Sequence, residues 1–178
     1  IMCLRTRWTT LYFSKSKDQV TCFLIFKQHI EKMKKMRVKI LNISATDRLI
    51  TDLGGEYVNK SLQNLCTTEN IQHATVAAKS HLVAWIERYF ATLWRSMNPT
   101  MFAGNMPDNF WEHVALHCCF IRNRLGYRTL DNMESPYYLV NNHYPRDLKH
   151  VRIPWSSCWP VDDAYRTKFD KTDEYKWI

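Results

Sequence analysis

Glycine and proline are scarce in this 178-residue chain, with four and six residues respectively. So few breakers of regular structure exclude a collagen-like or low-complexity protein. No apolar run approaches the ~18 residues of a membrane helix, so no transmembrane segment is expected. No succession of positive, apolar and small residues marks a signal peptide. The chain opens Ile1-Met2 and reads as a piece of something longer. There is no internal repeat. The six cysteines include no C-x-x-C pair, which argues against both a zinc knuckle and a disulfide framework. His117 lies beside Cys118 and Cys119, but successive helix positions point about 100° apart and do not converge on one ion. Buried thiols in a reducing compartment are expected instead. N-x-S triplets at Asn42 and Asn59 are common by chance and mean little inside a cell.

What is present fits one compact domain with a real core: 46% hydrophobic, 13% aromatic and 24% charged residues. Disorder needs few aromatics and a high net charge. The formal charge is +8 and unevenly placed. Residues 1–40 hold ten Lys/Arg against Asp18 and Glu31, while the remainder holds fifteen of each sign. Such an excess points to a polyanion partner or to a solvated basic helix face.

Residues 7–13 (RWTTLYF) are aromatic and β-branched, as a strand would be. Ser16 with Gln19 forms a capping box, and Phe23, Phe26, Ile30 and Met33 follow at helical spacing. That predicts a helix over about 17–35, with Asp18 as first-turn helix chemistry. Residues 37–41 alternate like a strand, and T-D-L-G-G-E-Y at 51–57 looks like a strand end entering a glycine turn. Leu62, Leu65 and Cys66 mark a short helix, and residues 71–76 a strand. Val83, Ile86, Phe90, Leu93 and Met97 predict a helix terminated by Pro99. Phe110, Trp111, Val114, Cys118, Ile121 and Leu125 predict another, opened by Asn109 with Glu112 and closed by Gly126. The tail is loop-rich, with room for a short strand. Strands alternating with helices predict an α/β fold, a central sheet covered by helices.

Two acids stand out. Asp52 precedes two glycines, and Glu87 sits on a helix with 34 residues between them. A carboxylate at a strand end and one on a helix over the sheet can meet across a crevice. Paired carboxylates suit a hard divalent cation such as Mg²⁺, which takes oxygen ligands. Two such ions about 4 Å apart serve phosphoryl transfer. Spacing alone is weak evidence, because surface acids are found everywhere.

The wording around these acids resembles the integrase core of copia-type LTR retrotransposons. The family's T-D-x-G-G-E-[FY], I-x-H and E-R-x-x-x-T-L stretches are matched by residues 51–57, by Ile71-Gln72-His73 and by Glu87-Arg88 with Thr92-Leu93. Thr6-Arg7-Trp8 with Tyr12-Phe13 and Lys15-Ser16-Lys17 is similar to its first strand motif. Phe110-Trp111, Ala115 and Asn123-Arg124-Leu125 are similar to its F-W-x-x-A…N-R-L helix. Ser135-Pro136-Tyr137 and Lys168-Phe169-Asp170 match later landmarks. The resemblance covers nearly the whole chain, in order.

It implies a ribonuclease H-like mixed sheet flanked by helices, lacking its first strand. Residues 1–130 would be the catalytic core, incomplete at its N-terminus, and 131–178 a loop-rich C-terminal extension. Asp52 and Glu87 would be catalytic ligands of Mg²⁺ or Mn²⁺, the second and third acids of a D-D-E site. Lys32, Lys34, Lys35 and Lys79 would contact DNA. The implied activity is 3′-end processing and strand transfer between element ends and target DNA, in a homo-oligomer, in the nucleus or a cytoplasmic virus-like particle. His73 and Arg88 would be structural, through a strand-end polar contact and an ion pair.

Three departures qualify this. The family's first Asp has no counterpart in the chain, nor has its zinc-binding His/Cys module. Residues 42–50 are inserted before the T-D pair, so that either they bulge or Arg48-Leu49-Ile50 supplies the strand. No glycine precedes the E-R helix, and Trp85 stands beside it, to pack in the core or to stack on a base. The departures predict impaired catalysis; the alternative is a catalytically inactive nucleic-acid-binding remnant of a transposable element.

Overall fold

The computed structural model describes residues 1–37, 48–77 and 80–156. Helix α1 (Gln19–Arg37) is followed by strand β1 (Arg48–Thr51), helix α2 (Lys60–Thr68) and strand β2 (Gln72–Thr75). Then come the long helix α3 (His81–Gly104), helix α4 (Trp111–Arg124) and the short helix α5 (Pro136–Asn141). No helix among the described residues is long and apolar enough to cross a membrane.

β1 and β2 pair in parallel, Arg48 opposite Gln72 through Thr51 opposite Thr75. A parallel pair needs a crossover, and α2 provides it. The strand before the T-D pair is therefore the inserted Arg48-Leu49-Ile50. Arg37 ends α1 instead of opening a strand, and residues 38–41 lie outside the described ones.

The N-terminal segment departs from expectation. Residues 7–13 form no strand; one antiparallel bridge joins Met2 to Thr9. The chain turns back at once, with the Cys3 N–H donating to the Trp8 carbonyl and the Arg7 N–H to the Cys3 carbonyl, both at 2.8 Å. Thr9 finds its partner on α4. Its N–H donates to Asn123 Oδ1 at 2.9 Å, and Asn123 Nδ2 donates to its carbonyl at 2.8 Å. A side-chain amide thus fills the place of a neighbouring strand, and the buried backbone groups are satisfied.

α1 starts two residues later than predicted, and its cap is Asp18, whose Oδ1 accepts from the Thr21 N–H at 2.8 Å. Ser16 hydrogen-bonds the same carboxylate and is not the cap. Asn59 caps α2, accepting from the Leu62 N–H at 2.8 Å. That role accounts for this asparagine without glycosylation. α5 stands where a short strand was allowed; Ser135 caps it and Pro136 occupies its first turn, a position that needs no N–H.

α3 does not stop at Pro99 but continues to Gly104. Leu93, Met97 and half-buried Met101 anchor it on both sides of the proline, against Val114, Ala115, Cys118 and Cys119 of α4. At about 1.5–3 kcal/mol per fully buried large apolar side chain, this packing exceeds the intrinsic cost of an interior proline. The buried face is also rotated from prediction: Tyr89 replaces Ile86 and Phe90, which are exposed. On α4, Trp111 and Leu125 are exposed while Ala115 and Cys119 are buried. Gly126 follows α4, where a Cβ would run into the Met133 carbonyl. A second core joins Phe26 and Ile30 of α1 to Leu62, Cys66 and Ile71. Cys66, Cys118 and Cys119 are buried free thiols, Cys22 is half-buried and Cys3 exposed.

Candidate active site

Parallel strands place their carboxyl ends together, and ligands of such sheets gather there. β1 ends at Thr51, whose carbonyl accepts from the Val76 N–H at 2.9 Å, so that the pairing holds to the last residue. Asp52 comes next, half-buried, with Oδ1 accepting from the Gly54 N–H at 3.2 Å. That small turn orients the carboxylate. α3 begins six residues beyond β2, from the same end of the sheet. Glu87 lies six positions into α3, about 9 Å along its axis, and is exposed. Asp52 and the start of α3 thus share one end of the sheet. Among the described residues, no group of three His, Cys, Asp or Glu side chains converges as a metal cage.

The other motif residues have structural work. His73 Nε2 meets the Thr51 hydroxyl at 3.0 Å across the strands, the polar contact expected of it. Burial lowers its pKa, which favours the neutral ring. Arg88 is not in an ion pair among the described residues; its Nε donates to the Ala84 carbonyl at 3.1 Å. Glu56 faces Lys17, Nζ to Oε1 2.7 Å, and the ammonium holds the carboxyl below its usual pKa. Gln19 Nε2 donates to the Gly55 carbonyl at 3.1 Å. Together these contacts tie the start of α1 to the glycine turn beside Asp52, a role the motif alone did not show.

Of the basic candidates, Lys32 and Lys35 are exposed. Lys34 bridges to Glu69 at 2.6 Å, an exposed pair of the kind worth about 0–1 kcal/mol. Lys79 lies outside the described residues, as do Lys168, Phe169 and Asp170. Trp85 is neither core nor free: the Arg7 guanidinium lies 3.6 Å over its ring, and its Nε1 donates to His81 Nδ1 at 3.2 Å.

No protein-family model matches the chain. A curated relative, the retrovirus-related Pol polyprotein from transposon TNT 1-94 of Nicotiana tabacum, is 27% identical over 116 residues. The match takes in 64% of this chain and spans 8% of that polyprotein. Among solved structures, the HTLV-2 integrase catalytic core domain in complex with magnesium, in trimeric form, superposes with TM-score 0.58 at 14% identity, over 78% of this chain and 80% of that one. Its dimeric form gives 0.56 at 14% identity, over 76% and 77%. A chain of the simian T-cell lymphotropic virus intasome in complex with PP2A regulatory subunit B56 gamma gives 0.57 at 19% identity, over 88% of this chain and 49% of that one. The fold is thus that of retroviral integrase catalytic cores, reduced among the described residues to one small parallel sheet and its helices. The chain is similar in sequence to a retrotransposon Pol polyprotein and shares its fold with retroviral integrase catalytic cores.

Proposed function

We propose that the chain serves DNA integration, processing the 3′ ends of element DNA and joining them to target DNA, with impaired catalysis. One observation carries this reading. Asp52 follows β1 at the end of the sheet from which the Glu87-bearing helix departs. Two carboxylates are the right kind of donor for Mg²⁺ or Mn²⁺, and Asp52 and Glu87 would hold the ion. When bound, the ion neutralises charge on a phosphate and favours an attacking hydroxyl. The protein supplies position: the Gly54 N–H fixes Asp52, and α3, anchored by Leu93 and Met97, carries Glu87. Two acids compensate the ions less fully than three, which is why impairment is expected.

The test is joining of labelled element ends to a plasmid in Mn²⁺, beside Mn²⁺ binding. Glu87→Gln is expected to abolish joining and weaken Mn²⁺ binding by about tenfold or more. Joining and binding equal to the unaltered chain would remove Glu87 from the site.

A second reading, an inactive nucleic-acid-binding remnant, is favoured by the exposed Lys32 and Lys35 on a helix within the basic first quarter. It expects DNA affinity to fall steeply with salt and E87Q to change nothing. The integration reading also brings a second copy of the chain as partner, as the solved cores of HTLV-2 occur in dimeric and trimeric form. Nucleus or virus-like particle is the location it implies.

A further inference from the structure

Two guanidinium groups in this fold stack on aromatic rings while their buried Nε atoms lack an acceptor among the described residues. Arg124 shows the complete arrangement. It forks onto Asp147 with Nε at 3.0 Å and Nη2 at 2.8 Å, and stacks 3.4 Å over Phe120. Arg7 is stacked at 3.6 Å over Trp85, yet its Nε is buried with no hydrogen-bond partner among the described residues. Arg122 lies 5.6 Å over Tyr89 and 5.3 Å over Tyr127, and its Nε is likewise buried and unpartnered. Its Nη2 donates to the Tyr127 hydroxyl at 3.3 Å. Trp85 and Tyr89 lie one turn apart on α3, so the two stacked guanidiniums are neighbours. Arg88 adds a third cation, 5.6 Å over the Trp85 ring. None of the three ion pairs among the described residues involves Arg7, Arg88 or Arg122. Arg7 is moreover held at φ 61°, where a residue with a Cβ is uncommon.

Buried donors without acceptors call for an anion, and a planar guanidinium fork matches phosphate oxygens. We infer that Arg7 and Arg122, stacked on rings one helix turn apart, form a binding site for a DNA phosphodiester, with Trp85 as an aromatic wall. Trp85 and Glu87 are two helix positions apart, about 200° around α3, so this contact lies across the helix from the acid. The inference rests on the reading of the chain as DNA-handling and is independent of any ion at Asp52 and Glu87.

The test is duplex binding by fluorescence anisotropy across a salt series in EDTA, which separates this contact from ion chemistry. Arg7→Gln and Arg122→Gln are each expected to weaken binding and to lower the salt slope by about one. Unchanged affinity and slope in both variants, with unchanged circular dichroism, would overturn the site but leave the DNA reading standing. Wild-type protein that binds no duplex would overturn both. Should a variant unfold, phenylglyoxal footprinting of the wild-type chain decides: duplex is expected to protect Arg7 and Arg122. Equal modification with and without duplex, or protection by inorganic phosphate but not by duplex, would overturn the phosphodiester assignment.

Discussion

His29 is buried on α1, and its Nδ1 meets the Tyr12 hydroxyl at 3.1 Å. Burial pushes its pKa down to about 4, so the ring is neutral and shares a hydrogen bond with the phenol. The unfolded chain, titrating near 6.5, binds that proton more readily than the native one. Stability is therefore full above pH ~6.5, declines as the pH falls toward about 4 and then levels. At about 1.4 kcal/mol per unit, discounted for partial solvation, the loss is on the order of 2 kcal/mol. Urea unfolding of the wild type and of His29→Gln at about pH 7 and pH 4.5 reads it: the variant is expected to lack this increment of acid sensitivity. An equal acid loss in both proteins would contradict the assignment. Sequence pattern identified N-R-L as a landmark, yet gave no sign that Asn123 stands in for a strand or that Arg124 clamps Asp147. Both partners are distant in sequence, and only folding sets them opposite.

At the scale of the element, periodicity placed α1, α2, β2, α3 and α4 to within a few residues, because amphipathic spacing and caps are local. It misjudged where α3 ends and which face it buries, because those are settled by α4. Pro99 lacks the N–H that would bond four residues back and sits exposed in α3. Pro99→Ala restores that donor without touching the core. An increase in stability of about 1–3 kcal/mol is expected, visible as a higher Tm. A lower Tm would mean that the helix is bent to suit the proline and that the bend matters for packing.

For the whole molecule, the described residues leave an apolar stripe of α3 uncovered: Ile86, Phe90 and Trp94 recur at intervals of four and are 37%, 52% and 59% exposed. One turn apart on a single helix face, they suit self-association, the partner proposed above. A Phe90→Glu/Trp94→Glu double variant is expected to sediment as a monomer at concentrations where the wild type forms a larger species. An unchanged species in both would remove this face from the assembly. Both side chains are half or more exposed, so the substitution spares the core.

The sequence by itself determined the α/β character, the four longer helices, the strand end before Asp52 and the likeness to integrase cores. All of these rest on neighbours close along the chain. The tertiary structure alone decided that residues 7–13 remain a loop pinned by Asn123, since a buried backbone accepts whichever donors and acceptors arrive. It also decided that Glu56 is held by Lys17 and that α3 runs through a proline. Most consequentially, it packed Arg7 on Trp85 and Arg122 on Tyr127 with no carboxylate among the described residues to receive them. Charge counts locate cations in the sequence; only packing decides which of them lose water and still lack an acceptor.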